Sequence, residues 1–225
     1  MNAASPQVGM FPPPDLLDWA PARAQAFLDQ IAAAGIDHVC CADHVSFIAG
    51  LGFDGLLQAT ALATLHPSLR ISCGLYLLPL RHPVLVARQL ADIERLAPGR
   101  LSFGVGIGGE DRHEVAICGV DPATRGLRMN ECLTIVRQLL TGTAVTFHGK
   151  FFDIDNAVIA PAPSSLALPT SQPTSTVQAI RVEMTRRAAT GRSSMGHGTA
   201  QAATTRPKVP AVCPAEYRYS RHPPR

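Results

Sequence analysis

One adjacent pair of residues, Asp43 and His44, has the side chains needed to move a proton. The pair stands in the sequence CADHVSF, directly after the apolar segment 38–42. An imidazole titrates near neutral pH, and beside a carboxylate it can act as a general base or hydrogen-bond a redox-active ring. The alternative is a loop histidine that follows a turn-forming aspartate. We therefore treat Asp43 and His44 as candidate site residues.

Glycines mark the ends of two other apolar segments. Gly74 lies in the sequence CGLY, where a glycine either lets the backbone approach a flat ligand or simply permits a bulge. A glycine-rich stretch follows the other segment, in PGRLSFGVGIGGEDRHE, residues 98–114. This stretch does not match the dinucleotide-binding fingerprint, but it exposes backbone N–H groups to an anion or a planar ring and brings carboxylates near the same place. Its glycines and glutamates are Gly104, Gly106, Gly108, Gly109, Glu110 and Glu114.

These residues need a scaffold, and the hydrophobic pattern predicts alternating strands and helices. Short apolar segments alternate with longer segments of helical periodicity that are bounded by proline and glycine. The predicted strands are 7–11, 38–42, 69–75 and 101–105, and the predicted helices are 21–34, 55–65, 83–96 and 125–140. Four such β-α units indicate a parallel sheet covered by helices, an α/β fold. Because the carboxyl ends of parallel strands share one edge, His44, Gly74 and Gly106 should meet at one mouth.

The pattern changes after the fourth predicted helix. The sequence AVTFHGKFFDID predicts a β-hairpin at about 145–154. Residues 164–225 hold nine Lys or Arg and two Asp or Glu, a net charge of +7, against −4 for residues 1–163. Ser, Thr, Pro, Ala and Arg dominate this tail, and such a composition favours disorder. We predict two regions, 1–163 and 164–225, the second being either a natural basic tail or the out-of-frame end of a gene.

Composition and spacing argue against several other function classes. The six cysteines show no zinc-ligand spacing, no secretory signal precedes them, and no apolar stretch reaches the roughly 18 residues of a membrane span. We therefore expect reduced thiols, no metal and a cytoplasmic location. Apart from Tyr217 and Tyr219, the basic tail has no aromatic residues among its arginines, which argues against nucleic-acid binding.

Several segments together resemble one known family, the luciferase-like oxidoreductases and monooxygenases. They lie within residues 7–163 and are AGIDHVCCADH, LYLLPLRHPVLVARQLADIERLAPGRLSFGVGIGGE, GVDPATRGLRMNECLTIVRQLLTG and VTFHGKFFDIDNAVIAPAP. The resemblance covers the N-terminal half of a family chain. It implies a TIM (β/α)8 barrel, of which this chain forms an incomplete barrel of about four β-α units plus the hairpin. Residues 164–225 are too few for four further units, which need roughly 120 to 140 residues.

The resemblance also implies a cofactor and a site. The cofactor would be coenzyme F420, a deazaflavin, or alternatively FMN, bound at the mouth formed by the carboxyl ends of the strands. The Asp-His form of the motif resembles the deazaflavin branch, and Gly74-Leu75 matches a bulge that often contains a non-proline cis peptide. The implied catalytic residues are His44 and Glu110. The implied cofactor-binding residues are Asp43, Gly74, Leu75, Gly106, Gly108 and Gly109.

The implied reaction is hydride transfer between the cofactor and a small organic substrate. His44 would position or deprotonate a substrate hydroxyl, and Glu110 would exchange a proton. Two alternatives stay open, an FMN-dependent monooxygenase that uses O2 and an inactive fragment. A full-length member of the family would form a homodimer.

Overall fold

A four-stranded parallel sheet lies at the centre of the fold. The computed structural model describes residues 7–48, 50, 52–108 and 111–163. The sheet has the order β1-β2-β3-β4, and every neighbouring pair is parallel. Its strands are β1 (Gly9–Met10), β2 (His38–Cys41), β3 (Arg70–Tyr76) and β4 (Leu101–Val105). The predicted α/β class with four parallel units is confirmed, and the predicted tail lies outside the described residues.

Five α-helices occur in the described part of the chain. They are α1 (Pro21–Ala33), α2 (Gly55–Leu65), α3 (Pro83–Leu96), α4 (Arg112–Ile117) and α5 (Arg125–Leu139). Proline stands in the first turn of α1 and α3, where its missing N–H costs no helical hydrogen bond. The Asp54 carboxylate caps α2 by accepting the N–H groups of Leu56 and Leu57. The sequence did not indicate α4, since six residues are too few to show a helical period.

The two faces of the sheet differ in composition, because successive side chains of a strand point to opposite sides. The helix-covered face contributes buried apolar side chains to one core, namely Val39, Cys41, Ile71, Cys73, Phe103 and Val105. The opposite face carries small or polar residues. Cys40 is buried there, and the others are half-buried or exposed, namely Ala42, Ser72, Gly74, Ser102 and Gly104. This second face therefore exposes little apolar side-chain surface and leaves room for a ligand.

The predicted hairpin is present and is fixed to the last helix. Its strands are β5 (Val145–His148) and β6 (Asp153–Ala157), which pair antiparallel. The Glu131 carboxylate on α5 accepts the N–H groups of Lys150 and Phe151 at 2.8 and 3.0 Å. The Arg128 guanidinium lies 4.3 Å from the centre of the Phe152 ring, and Phe152 is buried in the core. These contacts dock the hairpin turn against α5.

Candidate active site

An open cleft lies at the carboxyl ends of β1 and β2. Its volume is about 390 Å3. Its walls include Phe11, Pro12, Cys40, Ala42, His44 and Phe53. These residues come from β2, from the segment that follows β1 and from the loop that follows β2. The cleft therefore lies on the side of a parallel α/β sheet where ligands bind.

The His44 imidazole lies in the wall of this cleft, with 37% of its side chain exposed. Its Nδ1 atom is 3.2 Å from Oε2 of Glu114, and its ring stacks on Phe47 with centroids 4.2 Å apart. Gly52 lets the following loop fold back over His44, since a Cβ at Gly52 would lie 2.6 Å from the His44 carbonyl oxygen. Protein groups thus hold Nδ1 and one ring face, and Nε2 has no hydrogen-bond partner among the described residues.

Asp43 precedes His44 but is completely enclosed, with 0% of its side chain exposed. Its Oδ1 accepts the Gly55 N–H at 2.9 Å, and its Oδ2 accepts the Leu77 N–H at 2.8 Å. Arg81 donates to both oxygens, at 2.7 and 2.5 Å. Burial raises the pKa of the Asp43 carboxyl, while the Arg81 charge and the two N–H donors act in the opposite direction. The carboxylate links the ends of β2 and β3, and the predicted contact of Asp43 with a cofactor stays a prediction.

Arg81 organises this buried cluster, and no role could be assigned to it from the sequence. It also donates to Asp54 at 3.1 Å, and its guanidinium lies 4.4 Å from the centre of the Tyr76 ring. Burial lowers the pKa of Arg81, but the charge and hydrogen bond of Asp43 together with the charges of Tyr76 and Asp54 outweigh burial and raise the pKa above its ordinary value. One feature of the sequence could have indicated this role. An arginine stands directly after the apolar sequence LYLLPL, and a cation in a buried position requires an acidic side chain nearby.

β3 ends in a bulge at Gly74 and Leu75. The register with β4 shifts between Cys73 and Tyr76, where β3 advances three residues against two on β4. The peptide bond between Gly74 and Leu75 is cis. A Cβ on Gly74 would meet no atom within 4 Å, so Gly74 borders open space at the same edge of the sheet as His44. Among the predicted cofactor-binding residues, Gly74 therefore has room beside it for a ring.

The glycine-rich stretch after β4 packs against this bulge. The Gly106 N–H donates to the Tyr76 carbonyl at 2.8 Å, and a Cβ on Gly106 would lie 3.0 Å from the Leu75 Cβ. Gly108 has a φ of 69°, a left-handed conformation that favours glycine. Gly106 thus allows the backbone to pack closely against Leu75, and its N–H group is already hydrogen-bonded to Tyr76. The two predicted residues that lie outside the described part of the chain are Gly109 and Glu110.

Glu114 on α4 is the acid that reaches His44, and the sequence indicated only that it lies near the same mouth. Its Oε1 accepts the N–H groups of Val45 and Ser46 at 2.6 and 3.1 Å, while its Oε2 faces the His44 ring. The spacing from Asp111 to Glu114 is that of a capping box and could have marked the start of α4. The partners of Glu114 follow β2, so local sequence does not reveal them.

Comparison with known families agrees with this fold. The model of the family described as luciferase-like monooxygenase matches residues 7–218. The chain belongs to the luciferase-like monooxygenase family. The resemblance to this family noted in the sequence is thereby confirmed. The match extends past residue 163 into the predicted tail.

Members of the family with different cofactors are similar to this chain. The F420-dependent glucose-6-phosphate dehydrogenase of Kineococcus radiotolerans is 27% identical over 151 residues, which are 64% of this chain and 44% of that protein. The structure of an F420-dependent secondary alcohol dehydrogenase with an F420-acetone adduct has a TM-score of 0.57 and 24% identity, over 71% of this chain and 49% of that one. The FMN-bound oxygenating constituent of 3,6-diketocamphane monooxygenase from Pseudomonas putida has a TM-score of 0.56 and 20% identity. This match covers 70% of this chain and 49% of that one.

These structures share the luciferase-like TIM-barrel fold with the described residues. The matched part of the chain spans 44% to 49% of the length of these three proteins. The predicted four β-α units and hairpin are confirmed as part of that fold, and the prediction that residues 164–225 leave the barrel incomplete lies outside the described residues. Within the residues that the structure describes, none of the helices is long and apolar enough to cross a membrane.

Proposed function

We propose that the cleft around His44 binds coenzyme F420 and a small organic substrate, and that a hydride passes between them. The observation that carries this proposal is the His44 imidazole, which lines the cleft, contacts Glu114 through Nδ1 and leaves Nε2 for a ligand. A positioned imidazole can take the hydroxyl proton of an alcohol while its carbon is oxidised. In the reverse direction the same nitrogen returns the proton to the alcohol that forms.

The residues beside His44 fit a planar ring. Gly74 borders open space, and the face of the sheet around it carries small side chains such as Ala42 and Ser72. Bound there, F420 or FMN would supply the ring that accepts or releases the hydride. Gly74 and Leu75 would support the ring, while Asp43 would act indirectly by holding the exits of β2 and β3. Glu110 keeps its proposed role as proton-exchanging acid, with Gly108 and Gly109 beside the cofactor.

We favour F420 over FMN because the Asp43-His44 pair resembles the deazaflavin branch of the family. The second candidate is an FMN-dependent monooxygenase that uses O2. Its support is the similarity in fold to the FMN-bound oxygenase, whose TM-score of 0.56 is close to that of the F420-dependent dehydrogenase at 0.57. The two candidates differ in their cofactor and in oxygen consumption.

Titration of the purified chain with F420 and, separately, with FMN tests the cofactor, with binding followed by cofactor absorbance and fluorescence. We expect saturable F420 binding that Gly74→Leu weakens by about tenfold or more, because the leucine fills the space beside the bulge. Gly126→Leu is the matched control, since a Cβ at this exposed glycine on α5 also meets no atom within 4 Å. Failure to bind either cofactor, or binding insensitive to Gly74→Leu, overturns the proposed site.

Turnover of F420 with 2-propanol tests the role of His44. We expect His44→Ala to lower kcat by about 10²- to 10⁴-fold while F420 affinity is retained. The control is His148→Ala, because that side chain lies 72% exposed on the hairpin. Tighter binding of FMN with O2 consumption would favour the monooxygenase, and binding without turnover would favour the inactive fragment. Unchanged turnover in His44→Ala would exclude the catalytic role.

A further inference from the structure

Among the described residues, every hydrogen bond that the Glu114 carboxylate makes across the mouth ends on one short segment, His44 to Ser46. Glu114 is buried, with 3% of its side chain exposed. Oε1 accepts the N–H groups of Val45 and Ser46 at 2.6 and 3.1 Å. Oε2 lies 3.2 Å from Nδ1 of His44, a residue 70 positions earlier in the chain. One carboxylate therefore hydrogen-bonds both to the backbone after β2 and to the ring of the proposed catalytic histidine.

The first turn of α4 fixes the position of this carboxylate. Asp111 caps the helix, and its Oδ1 accepts the N–H groups of His113 and Glu114 at 2.8 and 3.3 Å. The other oxygen of Asp111 accepts the Ile48 N–H at 3.0 Å. The carboxylates of Asp111 and Glu114 thus attach the start of α4 to the segment after β2. Glu114 binds the N–H groups of Val45 and Ser46, and Asp111 binds that of Ile48. Glu114 cannot move relative to His44 unless these backbone hydrogen bonds also break.

The contact has a chemical consequence for His44. A carboxylate can only accept hydrogen bonds, whereas a neutral imidazole has one N–H donor and one acceptor nitrogen. We propose that Glu114 is the positioning residue for His44: its carboxylate holds the imidazole in the tautomer with hydrogen on Nδ1, so that Nε2 is presented to the substrate as the proton acceptor. Phe47, stacked on the ring at 4.2 Å and 29°, limits rotation of the imidazole. When His44 takes a proton, the same carboxylate stabilises the imidazolium.

The substitution Glu114→Gln separates this role from a purely structural one. The N–H groups of Val45 and Ser46 need an oxygen opposite them, so the amide oxygen of a glutamine occupies the place of Oε1. The amide NH2 then faces Nδ1 of His44, and a donor in that place requires the lone pair of Nδ1. We therefore expect the tautomer to reverse, with hydrogen on Nε2, while the segment after β2 keeps its fold.

Long-range ¹H–¹⁵N NMR of the full chain labelled at histidine measures the tautomer directly, at about pH 8.5 where free imidazoles are neutral. His44→Gln assigns the signal. We expect hydrogen on Nδ1 in the unsubstituted protein and on Nε2 in Glu114→Gln. Glu131→Gln is the matched control, because Glu131 also accepts two backbone N–H groups, those of Lys150 and Phe151, and lies on α5 away from His44. Hydrogen on Nε2 in the unsubstituted protein, or a tautomer unchanged in Glu114→Gln, overturns the proposal.

The kinetic arm rests on the function proposed for His44. With F420 and 2-propanol, Glu114→Gln should lower kcat by about 100-fold or more with little change in KM, as expected when a base is held in the wrong tautomer. Added to His44→Ala, the same substitution should have little further effect. A reversed tautomer in a chain without F420 turnover rejects the proposed function and keeps the positioning role. F420 turnover that needs His44 but tolerates Glu114→Gln rejects the positioning role and keeps the function.

Discussion

Two acid–base pairs lie at the mouth of the sheet, and they differ in what each leaves exposed. In the Asp43–Arg81 pair, 0% of the acid and 17% of the base are exposed, and four hydrogen bonds occupy the two carboxylate oxygens. In the Glu114–His44 pair, 3% of the acid but 37% of the base is exposed. The first pair can only hold the fold together. The second has a base that can exchange a proton with a ligand in the cleft.

The difference arises from two neighbouring positions, Asp43 and His44. Consecutive residues at the end of a strand point to opposite sides, so the first enters the helix-covered side and the second enters the cleft. A carboxylate on the covered side needs a full set of donors, because an unpaired buried charge is costly. A histidine in the cleft needs only enough contact to fix its orientation. The three predictions that follow test this contrast, beginning with the largest expected effect.

Removing the cation of the enclosed pair should cost the most stability. Arg81→Met leaves the Asp43 charge buried without its partner, and we expect the free energy of unfolding to fall by about 3–5 kcal/mol. Arg95→Met is the control, since Arg95 is 63% exposed and pairs with Asp92 across 3.8 Å, where about 0–1 kcal/mol is expected. Urea denaturation followed by circular dichroism measures both. Equal small losses would show that the Asp43–Arg81 pair is not needed for the fold.

Gly106 and Gly74 show the same contrast, because Gly106 is closely packed and Gly74 borders open space. Gly106→Ala places a Cβ about 3.0 Å from the Leu75 Cβ, and we expect this overpacking to cost about 1–3 kcal/mol of unfolding free energy. Gly74→Ala should change stability by less than about 0.5 kcal/mol, because its Cβ meets no atom within 4 Å. Denaturation curves of the two variants check the difference. Equal losses would mean that the space beside the bulge is filled in solution.

The smallest effect concerns the thiol in the cleft wall. Burial, with a smaller contribution from Cys41, raises the pKa of Cys40 to about 11. The thiolate is the reactive form, so Cys40 should stay protonated and unreactive from about pH 7 to 9. Burial also raises the pKa of Cys118, but this side chain is only half-buried and should be the more reactive of the two thiols. N-ethylmaleimide labelling read by peptide mass spectrometry should show Cys40 reacting about tenfold more slowly than Cys118. Rapid labelling of Cys40 would contradict this prediction and show that the reagent reaches its thiol in the cleft wall.

The sequence by itself determined the helices and strands, and the edge of the sheet where the candidate site lies. The predicted bounds of α2, α3 and β4 coincide with those in the structure, because apolar periodicity and terminal proline or aspartate are local features. The positions of His44 and Gly74 at strand ends followed from the same pattern. α4 was missed because a six-residue helix is shorter than two turns and carries too little periodicity.

Tertiary structure alone decided which of these residues face the cleft and which face the core. Asp43 is enclosed by its partner Arg81, which lies 38 positions later in the chain. Glu114 meets His44 across 70 positions, and Gly106 is packed under the side chain of Leu75. Such pairings depend on strand register and on how loops from separate β-α units cross the mouth. The energy that selects them comes from burial and hydrogen bonding between distant segments, which leaves no period or spacing in the chain to read.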